Sequence, residues 1–195
     1  MPRKKRVNPN RKPVKPATFD KAEIMKRANS GNIVYAWLLV LHTLIYHEAK
    51  HLSSSKALED GVEGVVDDAT NAAVKLAWKA ADDAVVNEVL SASDIRKAEL
   101  ITGMKTPYIN LETTPIRSQL DAEKLYKRAK KNALYNALFS IALGLEQLGY
   151  YDNTQLNRVF TNVEITLAEI EEGVLTYDDL MADIDKSADK VGRKK

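Results

Sequence analysis

From Ile33 to Tyr46 the chain reads IVYAWLLVLHTLIY, in which only His42 and Thr43 are polar. A helix that is apolar on every face has to be enclosed by other elements. The run falls short of the about 20 apolar residues that cross a bilayer. It therefore predicts the central helix of an all-α domain with no membrane span, continuing to His51. Ahead of it, Thr18 is placed to N-cap a short helix over 19–29, with Asp20 in its first turn. Gly31 and Asn32 form the break between the two.

Beyond Ser53-Ser54-Ser55, the residues Val62, Val66, Ala69, Ala73, Leu76 and Ala80 recur at spacings of three and four. That periodicity predicts a helix with a stripe of small residues, starting near Val65 because Gly61 and Gly64 weaken its beginning. Ser93 with Asp94 opens another helix that stops at Gly103. Thr102 to Gln119, with Pro107 and Pro115, reads as a linker with an extended segment over 107–112. Leu120 to Gly149 reads as one long helix or a bent pair. Asp152 or Asn153 caps the next helix, whose stripe is Leu156, Val159, Phe160, Val163, Leu167 and Ile170. Thr176, with Asp179 three residues on, caps a last helix through Leu180 and Ile184.

The pattern predicts a compact bundle of about six or seven helices around the central apolar one. Its parts are a first helical half over 18–101, the linker over 102–119 and a second half over 120–186. A shift of 101 residues aligns the halves without gaps. Asp20 meets Asp121, Lys26-Arg27-Ala28 meets Lys127-Arg128-Ala129, and Ala36 meets Ala137. Val40 meets Ile141 and Leu44 meets Leu145. A duplication would make two such halves share one core.

Composition narrows the function classes. A hydrophobic content of 45% is enough for a packed core. The absence of cysteine excludes disulfides, thiolate zinc sites and thiol nucleophiles, and fits a cytoplasmic setting. The basic N-terminus lacks the apolar stretch of a secretory signal. Residues 1–17 hold four prolines and the seven cations Arg3, Lys4, Lys5, Arg6, Arg11, Lys12 and Lys15, with no acid. Setting those seven aside from 29 basic residues leaves 22 against 27 acidic, so the body is at −5. This predicts a disordered basic arm on a mildly acidic body, with a short frayed basic tail over 187–195. Lys124, Lys127, Arg128, Lys130 and Lys131 offer a second basic line, and with the arm they are the candidate nucleic-acid contacts.

The opening RVNPNRKPVKPAT and the stretch LEQLGYYDNTQLNRVFTNVEITLAEIEEGVLTYDDLMADI resemble uncharacterised small helical proteins of phages and prophages of Gram-positive bacteria. Those relatives are shorter, and each joins an opening like Arg6 to Pro13 to a tail like Gly149 to Ile184. The resemblance implies a phage accessory protein with residues 50–120 inserted. It carries no active-site residues across.

His47-Glu48-Ala49-Lys50-His51 matches the helical zinc motif of metallopeptidases: two imidazoles four apart reach one metal, and Glu48 would be the general base. The continuation expected after His51 is missing, and a third ligand would have to be Glu63, Asp67 or Asp68. Basic side chains at a helix C-terminus also complement its dipole without metal. His42 reads as a core histidine, and Tyr35, Trp37 and Tyr46 as core aromatics. Tyr108, Tyr150 and Tyr151 fall in turns and either pack there or anchor a partner. The acidic pairs Asp67-Asp68, Asp82-Asp83 and Asp178-Asp179 read as solvated faces, because adjacent helical positions diverge by about 100°.

These features predict a non-enzymatic helical binding protein without a cofactor. It would be a phage regulator or host-defence inhibitor in the host cytoplasm, acting on a host or phage macromolecule. The alternative expectation is a zinc-dependent hydrolase using His47, Glu48 and His51.

Overall fold

The computed structural model describes residues 20–48, 66–85, 90–105 and 116–190. Among them are seven α-helices and no strand, so the fold is all-α. In chain order these are α1 (Lys21–Asn29), α2 (Asn32–Thr43), α3 (Val66–Asp83), α4 (Ala92–Thr102), α5 (Gln119–Gln147), α6 (Asn153–Glu171) and α7 (Tyr177–Lys190). A π-helical turn, Leu44–Glu48, prolongs α2. The arm 1–17, His51, the serine run 53–55, the expected extended segment 107–112 and residues 191–195 lie outside the described residues.

The helices start where side chains can satisfy the first backbone N–H groups, which have no partner inside the helix. Asp20, not Thr18, caps α1, accepting from the Ala22 N–H at 2.9 Å. Ser91, not Ser93, caps α4 in a reciprocal pair with Asp94. Ser118 caps α5, Asp152 pairs with Gln155 at α6, and Thr176 pairs with Asp179 at α7. Hydrogen bonds from Ser91 and Thr176 hold Asp94 and Asp179 below the usual carboxylate range. Gly31 splits α1 from α2 by adopting φ 77°, a left-handed conformation that other residues rarely take.

Leu39, Val40, Leu41 and Leu44 have no exposed surface. They are enclosed because α3, α5, α6 and α7 all pack on α2 or its terminal turn. One apolar core joins residues of α2 through α7. The second half of α5 supplies Leu138, Phe139, Ile141 and Leu145, and α6 supplies Leu156, Val159, Phe160 and Val163. Residues on both sides of 102–119 thus feed the same core. The described start of that stretch is itself packed: Thr102 closes α4, and Thr102 and Met104 are buried.

The stripe read on α3 holds at Ala80, which is buried, and at Ala73, which packs against the core, and fails at Leu76. Leu76 is 41% exposed, while Val74, Ala77, Trp78 and Ala81 are buried. Trp78 turns inward, its ring packing edge-on against Trp37 at 5.8 Å, and Leu76, two residues earlier, falls on the other side of the helix. By length and composition, Lys21–Glu48 meets the requirement for a membrane span. Gly31 divides it into two helices, and its most apolar residues face protein.

One part of the bundle stands apart from the main core. The N-terminal half of α5 buries Ala122, Leu125 and Ala129, and α1 buries Ala28. None of these four belongs to the central cluster. The one extensive packing partner of α1 is α5, and alanines at 28, 122 and 129 let the two backbones approach.

Gly144 gives a direct test of the packing between α3 and α5. A Cβ there would lie 2.7 Å from the Ala84 carbonyl oxygen. Helix propensity alone favours alanine by about 1 kcal/mol. Because backbone rather than a flexible side chain blocks the space, Gly144→Ala is expected to destabilise the fold by about 1–3 kcal/mol. Urea unfolding measures it, and a rise in stability would contradict the packing.

Candidate polyanion-binding face

On a helix of about 3.6 residues per turn, Lys124 and Lys127 point away from Ala122, Leu125 and Ala129, while Arg128 and Lys130 fall on the two flanks. All four are exposed. Lys131 differs. It is half-buried and its ammonium meets Glu171 of α6 at 2.8 Å, a hydrogen bond that raises its pKa. The expected basic line of five therefore contributes four outward cations and one internal tie.

Helix α1, packed on α5, carries two more exposed cations. Lys26 and Arg27 are exposed, on the side away from the buried Ala28. The acids nearby are Asp20, Glu23, Asp121 and Glu123. Two of them serve the helix starts. Asp20 caps α1, and Asp121, held below the usual range by its hydrogen bond with Ser118, accepts from the Arg117 N–H at 3.1 Å. The arm 1–17 joins the body at α1, so its seven cations are tethered beside the α1–α5 pair. At the other extreme, α7 carries Asp178, Asp179, Asp183, Asp185 and Asp189 against Lys186 and Lys190. The body is mildly acidic in sum, and its acids and cations are unevenly shared among the helices.

Between the starts of α2 and α7 lies an open groove of about 570 Å³, lined by Gly31, Val34, Tyr35, Tyr177, Asp178 and Met181 among others. The rings of Tyr35 and Tyr177 are 4.5 Å apart, and the Lys130 ammonium stands 5.2 Å from the Tyr35 centroid. Tyr35 is therefore a groove residue, not the core aromatic the sequence suggests. Trp37 and Tyr46 are partly buried, and each places its polar atom on a partner. Trp37 donates to Asp82 at 3.2 Å, and Tyr46 donates to the Asp183 carbonyl at 2.8 Å. Tyr151 is a core residue, 5% exposed, and Tyr150 donates to the Asp83 carboxylate. Tyr108 lies outside the described residues.

The zinc motif is arranged differently from its sequence reading. His47 is exposed at the π-helical turn, whereas Glu48 is 1% exposed. The Glu48 carboxylate accepts from both Nε and Nη2 of Arg158 on α6, the former at 2.9 Å. A carboxylate clamped by a guanidinium is committed to holding α2 against α6 instead of polarising a water. Among the described residues, no three His, Asp or Glu side chains converge on a metal position. Of the prospective third ligands, Glu63 is outside the described residues. His42 stacks on Tyr46 at 4.7 Å and faces Asp183 at 3.8 Å, as a core histidine would.

Two tests follow from this geometry. Arg158→Ala leaves Glu48 buried without its partner, a change that costs about 3–5 kcal/mol for enclosed pairs. The guanidinium is partly exposed, so the lower end is expected. Replacing both with leucine should cost less than the two single changes added, which a denaturant double-mutant cycle measures. The second concerns pH. Burial pushes His42 below its ordinary 6.5, against the opposing pull of Asp183, and His47 lowers it further. The unfolded chain then binds the proton more readily. Stability is full above the unfolded value and falls as pH drops from it toward the folded one. Thermal midpoints are expected to decline from about pH 7 to 5, and His42→Gln should flatten that decline.

No protein-family model, curated protein or solved structure matches the chain.

Proposed function

We propose that this chain is a non-enzymatic helical binding protein that holds nucleic acid through its basic arm and the exposed face of α1 and α5. The observation that carries this reading is the packing of α1 on α5. The helix that follows the seven-cation arm in sequence is packed on the helix that carries Lys124, Lys127, Arg128 and Lys130, which supports a joint role. Cations are concentrated where the core is thinnest, and an anionic polymer is attracted to such a concentration. The resemblance of the opening and of Gly149 to Ile184 to phage proteins supports an accessory role in a host cytoplasm, as a regulator or host-defence inhibitor.

Phosphate contacts release condensed counterions, with a log–log salt slope of about −0.9 per contact on duplex DNA. If four to six charges engage, the full chain should show a slope of roughly −4 to −5. Removing residues 1–17 should weaken binding and make the slope shallower. Lys127→Glu with Arg128→Glu should lower it by about two contacts more. A fluorescence-anisotropy salt titration of the three proteins measures this. Identical binding by the full chain and the truncation, or no binding at low salt, would refute the arm's role and turn attention to a protein partner.

A further inference from the structure

We infer that the groove between α2 and α7 receives an unstacked nucleobase, so that the polymer on the basic face is single-stranded. This rests on the nucleic-acid reading above and narrows it. The carrying observation is Lys130. It sits on the basic face of α5, yet its ammonium lies 5.2 Å from the Tyr35 ring, whose partner ring Tyr177 is 4.5 Å away. The basic face of α5 therefore borders the aromatic cleft, with Lys130 against its Tyr35 wall. That combination, a basic path with side-chain rings beside it, is how proteins hold single strands, whose bases are free to leave the stack. A duplex keeps its bases inside and could use only the cations.

The cleft fits such an occupant. Its volume of about 570 Å³ is within the about 300–1,000 Å³ range of small-ligand clefts. Its rim is apolar and open: Val34 is 54% exposed and Met181 43%. Asp178 is the acid lining the cleft. It repels phosphate, which keeps the backbone on the Lys130 side, and its carboxylate can accept from an exocyclic base amine. Cytosine presents such a donor and thymine does not. The cleft therefore selects amine-bearing bases, with Tyr177, packed on Tyr35, as the stacking surface and Asp178 as the reader.

The test uses the full chain with labelled deoxycytidine and deoxythymidine homopolymers and a duplex of equal length, read by anisotropy at low salt. Wild type should favour the deoxycytidine strand over both others. Tyr177→Ala should weaken single-strand binding about tenfold, equivalent to ~1.4 kcal/mol and within the range for one base on one ring, with duplex binding unchanged. Met181→Glu changes an exposed rim position and should give the same selective loss, which guards against Tyr177→Ala failing to fold. Asp178→Ala should remove the preference for deoxycytidine over deoxythymidine. Equal binding of strand and duplex, with Tyr177→Ala and Met181→Glu silent, would overturn the inference while leaving the basic face intact. The cleft would then suit an apolar segment of a protein. Binding of none of the three polymers would overturn both readings together.

Discussion

Leu39, Val40 and Leu41 are consecutive and have no exposed surface. Successive helical side chains point about 100° apart, so three in a row can be hidden only if protein lies on nearly every side. That requirement organises the bundle. It makes α5, α6 and α7 surround α2 on long contacts and forces the chain's most apolar segment to its middle. It also limits where polar groups can leave the core. Trp37 does so toward Asp82, Tyr46 toward the Asp183 carbonyl and Glu48 toward Arg158. These ties pin the central helix to α3, α7 and α6, so its rotation is fixed as well as its burial.

Long periodic segments were legible because their apolar stripes are made of large side chains. The stripe from Leu156 through Leu167 is buried as its spacing predicts. In α3 the stripe is mostly alanine, which suits either face, and the position of Trp78 decides which side turns inward. Tyr151 was unreadable for a related reason: beside Gly149 it looks like a turn residue, yet the turn folds it into the core, where burial and the nearby Glu48 raise its pKa. The Glu48–Arg158 pair did have a signal. Glu48 lies seven residues after Leu41 and four after Leu44, on the buried stripe, and a carboxylate there requires a cation. The zinc motif drew attention to its neighbours in sequence, while its partner was 110 residues away. The basic face of α5 was visible as a line, but neither the tie of Lys131 to Glu171 nor the meeting of Lys130 with Tyr35 could be read from one helix alone.

The 101-residue correspondence also takes physical form. Ala28 and Ala129, Leu38 and Phe139, Val40 and Ile141, and Leu44 and Leu145 are buried in both members of each pair. The two segments differ where Gly31 breaks the first into α1 and α2 while Asn132 continues α5. Both α1 and α2 pack on α5, so the cations of α1 and of α5 sit on neighbouring helices.

The pairing of α1 with α5 is electrostatically uneasy. Nine residues are too few for a stable isolated helix, and α1 buries one alanine fully. Lys26 and Arg27 on one helix and Lys127 and Arg128 on the other add like charges to a thin contact. In a free molecule that repulsion is borne by solvent and salt, and α1 is the element least supported by the core. An anion lying across both helices would replace repulsion with shared attraction, and would stabilise the docked state by mass action because the undocked one presents a divided site. Under the proposed function, binding at this end would thus favour the docked position of α1. The buried ties around α2 belong to the central core, of which Ala28, Ala122, Leu125 and Ala129 are not part.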